Sequence, residues 1–327
     1  MKIVITGATG FVGAALCRYF HGQGHQVMAT GRQAIPHPNL LNYATYVAAD
    51  ITRTVAAFEA DVCIHAAGLA SDTADYDSLY LNNVQGTAHV LEAAKNCRYF
   101  IFISSSSVYD FQDGPASEAD ANLNTNLSAY GKTKLLAEGL VKANIPGHQQ
   151  RLILRPRAIY GLGDRILLPR LLSMLKWDIV FCPISAHIKT SATHINNIAE
   201  AIALFLQQTI TTPLRLYNIA DTRVYGLRDM AVKSLCAIEG DGLKVLQIPA
   251  SWLTITKRLS PVAIAALTTN SVLDISLIQK ELGYQPVANF NESVAAIGEW
   301  INDLGGKNSY LKNIKHAPWM VSDILKN

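Results

Sequence analysis

Acidic residues are missing from the N-terminal part of the chain. No Asp or Glu precedes Asp50, although Lys2, Arg18 and Arg32 lie in this stretch. The 327 residues contain 28 Lys and Arg against 25 Asp and Glu, so these three basic residues account for the whole net charge of +3. So small a surplus excludes a sequence-wide basic field suited to nucleic acid. Charged residues are scarce at 16% and apolar residues reach 50%, which excludes a disordered chain and predicts a large core, long enough for about two domains.

Cysteine pairs and long apolar segments are also lacking. The five cysteines are scattered and none has the spacing of a metal site, which predicts reduced thiols, no metal and a cytoplasmic protein. Gly7, Gly10 and Gly13 interrupt any apolar signal-peptide region. The apolar segment Leu259–Leu273 contains Pro261 and is shorter than the ~20 residues of a spanning helix, so we expect no membrane span. It is typical of a lid or pocket wall.

Short apolar segments alternate with segments that are apolar at helical spacing over the first 160 residues. The predicted strands are Lys2–Thr6, Gln26–Thr30, Tyr46–Ala49, Val62–His65, Tyr99–Ser104 and Arg151–Arg155. The predicted helices are Val12–His21, Val84–Lys95 and Lys132–Ala143. This alternation predicts an α/β fold with a Rossmann-type doubly wound parallel sheet, covered on both faces and binding ligands at the carboxyl ends of its strands.

The pattern changes after Gly161. Two further helices, Ile166–Leu175 and Ala199–Gln207, and one more strand, Leu214–Ala220, are predicted there. Helices and irregular segments dominate from Tyr225 onward. We therefore expect a sheet domain of residues 1–160, rejoined by about 193–221, and a smaller, mostly helical substrate lobe of residues 161–192 and 222–327. The substrate would lie in the cleft between them.

A glycine motif connects the first predicted strand to the first predicted helix. Glycines at positions 7, 10 and 13 allow a tight turn, a close approach of the backbone to a pyrophosphate, and close packing of helix on strand. The helix N-terminus offers free N–H groups to the phosphates. Glycines three apart can be mere loop residues, but their place between strand and helix favours a dinucleotide.

Arg32 stands where the second strand of an NAD site usually ends in Asp or Glu. A guanidinium there can pair with the 2′-phosphate of NADP. The alternative is an ordinary surface arginine. We expect a preference for NADP over NAD.

An ordered set of motifs resembles the extended short-chain dehydrogenase/reductases, also called the NAD-dependent epimerase/dehydratase family. The matching segments are Thr6–Gly13, Asp50–Ile51, His65–Gly68, Asn83–Thr87, Ser104–Tyr109, Tyr130–Lys134, Leu154–Gly161 and Asp274–Pro286. The resemblance implies that the cofactor is bound by Gly7, Thr9, Gly10, Phe11, Val12, Gly13, Asp50, Ile51, Ala66, Ala67, Gly68, Asn83, Tyr130, Lys134 and Pro156. It also implies a homodimer that pairs the helices Val84–Lys95 and Lys132–Ala143.

Tyr130 and Lys134 lie four residues apart, on one face of a predicted helix. A tyrosine hydroxyl with a pKa near ~10 is a poor base, and a neighbouring ammonium is expected to lower that pKa for acid–base work on an alcohol or ketone. The resemblance implies that Lys134 also binds the nicotinamide ribose. It further implies that a serine hydrogen-bonds the substrate oxygen. Ser105 is favoured for this role, with Ser106 as the alternative.

Departures from the family pattern bear on the substrate. Dehydratases carry an acidic pair where this chain has Ser106 and Ser107, so dehydration is disfavoured. The arginine that grips the diphosphate in many nucleotide-sugar epimerases is missing before His194, although Arg157, Arg165 or Arg170 could replace it.

The hydroxyl-rich segment Thr190–Thr193 and the apolar segment Leu259–Leu273 resemble the 3β-hydroxysteroid-dehydrogenase-like branch. Ile264–Leu267 could equally be core, and His194 a packed or capping residue. Asp72, Asp75 and Asp77 lie in a loop that borders the substrate in the family, or are solvated turn residues.

The sequence favours an NADP(H)-preferring oxidoreductase that interconverts a secondary alcohol and a ketone, with Ser105, Tyr130 and Lys134 as catalytic residues. The alternative is a nucleotide-sugar epimerase with tightly held NAD(H). A cofactor-sensing regulator is less favoured, because such proteins commonly lose the tyrosine or lysine that this chain retains.

Overall fold

A computed structural model describes residues 1–111, 114–123, 126–183, 185, 187–208, 212–249 and 261–321. Its strands, in chain order, are β1 (Lys2–Thr6), β2 (Gln26–Gly31), β3 (Thr45–Ala48), β4 (Val62–His65), β5 (Tyr99–Ile103), β6 (Gln150–Pro156), β7 (Ile159–Tyr160), β8 (Leu175–Lys176), β9 (Ile179–Cys182), β10 (Lys189–Thr190), β11 (Thr193–His194), β12 (Leu214–Ile219), β13 (Tyr225–Gly226) and β14 (Lys244–Gln247).

The helices, numbered in the same way, are α1 (Phe11–Gly22), α2 (Tyr76–Tyr80), α3 (Gly86–Ala93), α4 (Ala129–Lys142), α5 (Leu167–Leu172), α6 (Ile195–Gln207), α7 (Leu227–Glu239), α8 (Pro261–Thr268), α9 (Ser276–Leu282), α10 (Phe290–Asp303) and α11 (Gly306–Lys312). A π-helical turn, Leu81–Gln85, joins α2 to α3.

The central sheet has seven parallel strands in the order β12-β6-β5-β4-β1-β2-β3. This arrangement confirms the predicted doubly wound sheet. The chain runs outward in both directions from the pair β1 and β4, where Thr6 lies opposite His65. The carboxyl ends at this reversal form the crevice in which such sheets bind ligands.

Alternate residues of each central strand enter different cores, because successive side chains point to opposite faces. Ile3 and Ile5 of β1 belong to the core under α1, α6 and α9, whereas Val4 belongs to the core under α3 and α4. With both faces covered, the three interior positions of β1 are all apolar.

A second core lies among the residues that follow β6. Leu171, Val180, Tyr225, Trp300 and Tyr310 are buried together there, within α5, α7, α10, α11 and the small sheet β14-β9-β8. Helices predominate, as the sequence predicts for the C-terminal region.

This small sheet corrects one predicted helix. The helix predicted to reach Leu175 ends at Leu172, because β8 then pairs antiparallel with β9 across a turn at Trp177. Trp177 has φ 54°, a left-handed conformation that glycine or asparagine usually adopts. The turn contains neither, so no glycine or asparagine marks it in the sequence.

Three predicted helix starts also move toward the N-terminus, and that of α6 moves from Ala199 to Ile195. The helix predicted from Val84 begins with α2, whose first turn is capped by Asp75 accepting from the Ser78 amide at 2.8 Å. Helix α4 begins at Ala129, where Ser128 accepts from the Gly131 amide at 3.0 Å. Side-chain caps of this kind satisfy amides that the helix itself leaves free. Among the described residues, no helix is both long and apolar enough to cross a membrane.

Candidate active site

A cavity of about 1650 Å³ lies along the carboxyl ends of the central strands. Nearly all of the residues that the sequence singles out for cofactor and catalysis line it: Gly7, Thr9, Gly10, Phe11, Val12, Gly13, Arg32, Ile51, Ala66, Ala67, Gly68, Asn83, Ser105, Tyr130, Lys134 and Pro156. The fold thus brings residues from eight separate segments to one surface.

Asp50 differs from these residues and does not line the cavity. Its carboxylate accepts from the backbone amide of Thr52 at 3.0 Å and from the Thr52 hydroxyl at 2.9 Å. These bonds, with a smaller contribution from the positive charge of Arg32, hold the pKa of Asp50 below its usual value. In this structure Asp50 stabilises the turn after β3, and its neighbour Ile51 faces the cavity.

The glycine turn is packed so closely that a side chain at two of its positions would collide with the backbone. Gly7 has φ 70°, and a Cβ on it would lie 2.7 Å from the Ala67 backbone. A Cβ on Gly13 would collide with the Gly7 carbonyl oxygen. Helix α1 then begins with no acidic residue in its first turn. The turn therefore offers helix amides, with their partial positive charge, to an anion.

Arg165 extends toward this turn from the other side of the cavity. Its Nη2 lies 3.6 Å from the position that a Cβ on Gly10 would take. Among the described residues Arg165 has no ion-pair partner, and burial lowers the pKa of its guanidinium. The sequence suggested Arg165 only as a substitute grip for a substrate diphosphate. Its position beside Gly10 depends on the packing of the segment after β7.

Arg32 is exposed and follows Gly31, the last residue of β2. It lines the cavity near Thr9, whose side chain would contact a Cβ on Gly31 at 2.9 Å. The structure thus places Arg32 at the cavity, at the strand end that the sequence indicated.

Tyr130 and Ser105 meet where α4 begins beside the end of β5. Burial raises the pKa of Tyr130 to about 12, the Ser105 hydroxyl lowers it, and the charge of Asp72 raises it. Ser105 lines the cavity and bonds Ser107, donating to its hydroxyl at 3.1 Å and accepting from its amide at 3.1 Å. Ser106 also lines the cavity but is only 2% exposed. Of the two serines, Ser105 is the one that interacts with Tyr130.

The expected lowering of the Tyr130 pKa by Lys134 is wrong for this structure. Lys134 is 4% exposed; its ammonium donates to the Ile103 carbonyl at 2.7 Å and lies 4.0 Å from the centre of the Phe102 ring. Burial lowers the pKa of Lys134 to about 7. A lysine that is partly neutral and bound to the backbone cannot offset the cost of ionising a buried phenol.

A buried ion pair fixes α4 against the sheet, and sequence reasoning missed it. Glu138 accepts from Arg155 Nε at 2.8 Å and from Arg155 Nη2 at 2.6 Å, and the Ser104 hydroxyl donates to the same carboxylate at 2.7 Å. Arg155 is 1% exposed and also donates to the Tyr109 hydroxyl at 2.8 Å. Glu138 lies one turn beyond Lys134 on α4, and this spacing was the available signal. The pair holds the helix of Tyr130 in register with β5 and β6.

The π-helical turn places Asn83 under the loop after β4. The Asn83 amide nitrogen donates to the Leu69 carbonyl and to the Thr133 hydroxyl, each at 3.1 Å, and its oxygen accepts from the Leu69 amide at 2.7 Å. This side chain therefore links the loop of Ala66–Gly68 to α4. Extra residues in a helix of this kind often mark functional sites.

His65 is fully buried beneath the same loop. It bonds the Thr6 hydroxyl at 2.8 Å and the Thr87 hydroxyl at 3.0 Å, and Thr87 donates its own hydrogen to the Asn83 carbonyl at 2.6 Å. Thr87 must therefore accept from His65 Nε2, which leaves Nδ1 to accept from Thr6. Burial and the charge of Lys134 lower the pKa of His65 to about 3, so the ring is neutral.

His194 and Thr193 have structural roles, whereas Asp72 faces the cavity. His194 accepts from the Asn196 amide at 3.2 Å and caps α6. The Thr193 hydroxyl bonds the Arg157 and Ile219 carbonyls. Asp72 does line the cavity, where it forms an ion pair with Arg170 at 2.8 Å.

The apolar segment Leu259–Leu273 falls partly outside the described residues, at Leu259 and Ser260. Within α8, Ala265 and Leu267 line the cavity, and Leu267 also packs against the second core. Leu267 thus fits both interpretations of this segment, pocket wall and core.

Residues 3–220 match the NAD dependent epimerase/dehydratase family. The chain therefore belongs to this family of enzymes. It is 29% identical to a 2-alkyl-3-oxoalkanoate reductase of Stenotrophomonas maltophilia, over 73% of this chain and 76% of the relative. It is 25% identical to a 3-beta-hydroxysteroid dehydrogenase of Mycolicibacterium neoaurum, over 93% and 92%.

The fold is also similar to that of a UDP-glucuronic acid 4-epimerase from Bacillus cereus in complex with NAD. The TM-score is 0.71 at 24% identity, covering 93% of this chain and 97% of the epimerase. At this identity the likeness supports the fold, which is that of the NAD(P)-binding Rossmann enzymes.

Proposed function

We propose that this protein is an NADP(H)-preferring oxidoreductase that interconverts a secondary alcohol and a ketone. The observation that carries the proposal is the single cavity that joins the glycine turn, the Ser105–Tyr130–Lys134 set and an apolar wall. Two relatives support the same reaction type, since one is named as a reductase of 3-oxoalkanoates and the other as a hydroxysteroid dehydrogenase.

The residues of the glycine turn fit a dinucleotide. The first amides of α1 would accept the pyrophosphate at the closely packed turn of Gly7 and Gly13, with Arg165 as a cation beside Gly10. Arg32 would take the 2′-phosphate. The bound nicotinamide supplies or accepts the hydride.

Tyr130 would act as the proton donor in the direction of ketone reduction. With a pKa raised to about 12 it holds its proton at neutral pH. As the substrate carbon gains hydride, its oxygen gains negative charge and takes that proton, while the Ser105 hydroxyl donates a hydrogen bond to the same oxygen. Lys134 would bind the cofactor ribose and restore the proton.

The charges of the cavity favour this reaction over nucleotide-sugar epimerisation. A diphosphate requires strong cationic partners. Arg170 is already paired with Asp72, and Arg165 faces the cofactor turn. Of the three arginines that could replace the missing diphosphate grip, Arg157 remains, and Lys176 is a further cation that lines the cavity.

Cofactor balance tests the proposal against the epimerase. We expect the purified protein to oxidise one NADPH per ketone reduced, with 2-alkyl-3-oxoalkanoates and 3-oxosteroids as the first panel. An epimerase would instead purify with bound NAD(H) and require none added. Protein that retains NAD(H) through purification and converts a UDP-sugar without added cofactor would refute the proposal.

The Tyr130→Phe variant tests the catalytic assignment. Removing the hydroxyl removes the proton donor, so we expect turnover to be lost while NADPH binds with wild-type affinity, measured by fluorescence titration. Tyr80→Phe, at an exposed tyrosine outside the cavity, is the matched control. A Tyr130→Phe variant with a near wild-type rate would remove Tyr130 from the mechanism.

A further inference from the structure

Arg157 is held in position by neutral groups. It follows the last residue of β6 and lines the cavity. Its Nη2 donates to the Ser271 hydroxyl at 2.6 Å, its Nε lies 3.5 Å from the Thr190 hydroxyl, and its guanidinium lies 5.0 Å from the centre of the Phe111 ring. Hydroxyls and a ring position a guanidinium without neutralising it.

Two other arginines, Arg155 and Arg170, differ from Arg157 because each has an acidic partner. Arg155, which lies in β6, is neutralised by the carboxylate of Glu138, and Arg170 by that of Asp72. Within the described part of the chain, no acidic side chain forms an ion pair with Arg157. Burial lowers the pKa of Arg157 to about 10, and no carboxylate opposes that shift. A half-buried cation without a counterion is unfavourable unless a ligand supplies the negative charge.

The remaining hydrogen-bond donors of Arg157 match a planar anion. Its Nε and Nη2 are engaged on one edge, which leaves the Nη1–Nη2 edge to donate a parallel pair of hydrogen bonds. Leu227, Leu246 and Leu267 are among the apolar residues that line the cavity. One guanidinium edge beside apolar residues suits a monoanion with a hydrocarbon body. Lys176 also lines the cavity, where its ammonium lies 4.6 Å from the centre of the Trp177 ring.

The position of Arg157 relates it to the reacting group. Strands β5 and β6 are neighbours, and the Ser104 amide donates to the Leu154 carbonyl at 2.8 Å. Ser105 and Arg157 therefore leave adjacent strands, which are about 4.8 Å apart, at the same edge of the sheet. A ketone at Ser105 and an anion at Arg157 can belong to one small polar head.

We propose that the substrate is a keto acid, or the matching hydroxy acid, with an apolar body, and that Arg157 binds its carboxylate. This inference rests on the proposed alcohol–ketone reaction and specifies its substrate class. The carboxylate takes no part in hydride or proton transfer; it orients the carbonyl toward Ser105 and Tyr130.

The test compares each acid with its neutral methyl ester. The probes are 3-, 4- and 5-oxodecanoate and their methyl esters, assayed by NADPH oxidation. For at least one acid we expect kcat/KM to exceed that of its ester by about tenfold to a hundredfold, the range of a charge-assisted bidentate contact. In Arg157→Gln this ratio should fall to about one, while Arg157→Lys keeps part of it because the charge stays and the planar pair of donors is lost.

Arg223→Gln, at an exposed arginine outside the cavity, should keep the wild-type ratio. Equal wild-type rates for every acid and its ester, or an acid preference that survives in Arg157→Gln, would overturn the inference and leave the oxidoreductase proposal standing. If no ketone is reduced, calorimetry with the NADPH-loaded protein decides. Acid binding that is stronger than ester binding, and is lost in Arg157→Gln, supports the carboxylate site although the proposed reaction fails; equal binding refutes the site.

Discussion

Lys2, Arg18 and Arg32 differ in their structural roles. They are the three basic residues that precede Asp50, the first acidic residue of the chain. Arg18 donates to the Pro318 carbonyl at 2.6 Å and lies 5.5 Å from the centre of the Trp319 ring, so it binds the C-terminal segment. Lys2 is exposed at the start of β1. Arg32 lines the cavity. Of these three residues, Arg32 is therefore the one on which the proposed preference for NADP rests.

Arg32→Ala tests cofactor selection. If Arg32 pairs with the 2′-phosphate, its removal should weaken NADPH binding by about tenfold to a hundredfold and change NADH binding by less than about threefold. Both dissociation constants can be measured by fluorescence titration. Similar wild-type affinities for NADH and NADPH, unchanged in the variant, would show that Arg32 does not read the phosphate.

His65 makes a prediction about stability and pH. Its folded pKa of about 3 lies below its unfolded value of 6.5, because the buried ring resists protonation. As pH falls from 6.5 toward 3, the unfolded chain takes up a proton that the folded protein refuses, so the folded state loses about 1.4 kcal/mol per pH unit from this residue. Urea unfolding between pH 6.5 and 4.5 measures the slope.

His65→Asn should make that slope shallower by about this amount, whatever its effect on the stability itself. The matched control is His148→Asn, at an exposed histidine. Equal slopes in the wild type and His65→Asn would show that His65 can be protonated in the folded state.

At the scale of elements, α4 is held by contacts on two sides. The Glu138–Arg155 pair joins α4 to β6, and Asn83 joins it to the π-helical turn. Lys134 lies between these two attachments along the helix, and Tyr130 lies three residues before the first, at Thr133. The positions of Tyr130 and Lys134 thus depend on polar contacts that a pattern of apolar spacing does not record.

Glu138→Gln tests the first attachment. The variant keeps the shape but leaves the Arg155 guanidinium buried without its counterion, which should lower the free energy of unfolding by about 3–5 kcal/mol. Glu92→Gln breaks the exposed pair of Glu92 with Lys95 by the same substitution and should change stability little. Urea unfolding of both variants makes the comparison. A Glu138→Gln variant as stable as the wild type would mean that Arg155 is satisfied by its other partners, Tyr109 and the Glu118 carbonyl.

At the scale of the whole molecule, the two sides of the cavity come from distant parts of the chain. The C-terminal segment closes on the first βαβ unit, since Trp319 Nε1 donates to the Ala8 carbonyl at 3.0 Å. Arg165 approaches the glycine turn from the segment after β7. We therefore expect a bound dinucleotide to stabilise both regions together.

Arg165→Ala should weaken NADPH and NADH binding alike, by about tenfold, because both cofactors carry the pyrophosphate. The thermal stabilisation that saturating cofactor gives should fall correspondingly. Differential scanning fluorimetry against both cofactors separates this variant from Arg32→Ala, which should affect NADPH alone. Unchanged affinity for both cofactors would show that Arg165 does not contact the phosphates.

The sequence alone determined the sheet, its glycine turn and the relative placement of Tyr130 and Lys134. Each depends on local geometry: strands alternate with period two, Gly7 has a positive φ, and residues four apart share a helix face. Short-range rules of this kind apply without knowledge of the tertiary packing.

Only the tertiary structure decided which charges are neutralised. Arg155 lies in β6 and Arg157 lies just after its end, yet Arg155 is paired with Glu138 and Arg157 faces a cavity beside Ser271. Electrostatic partners are set by spatial proximity across long sequence separations, and burial makes their presence or absence matter. The depressed pKa of His65 and the raised pKa of Tyr130 have the same origin, because burial is a property of the folded chain.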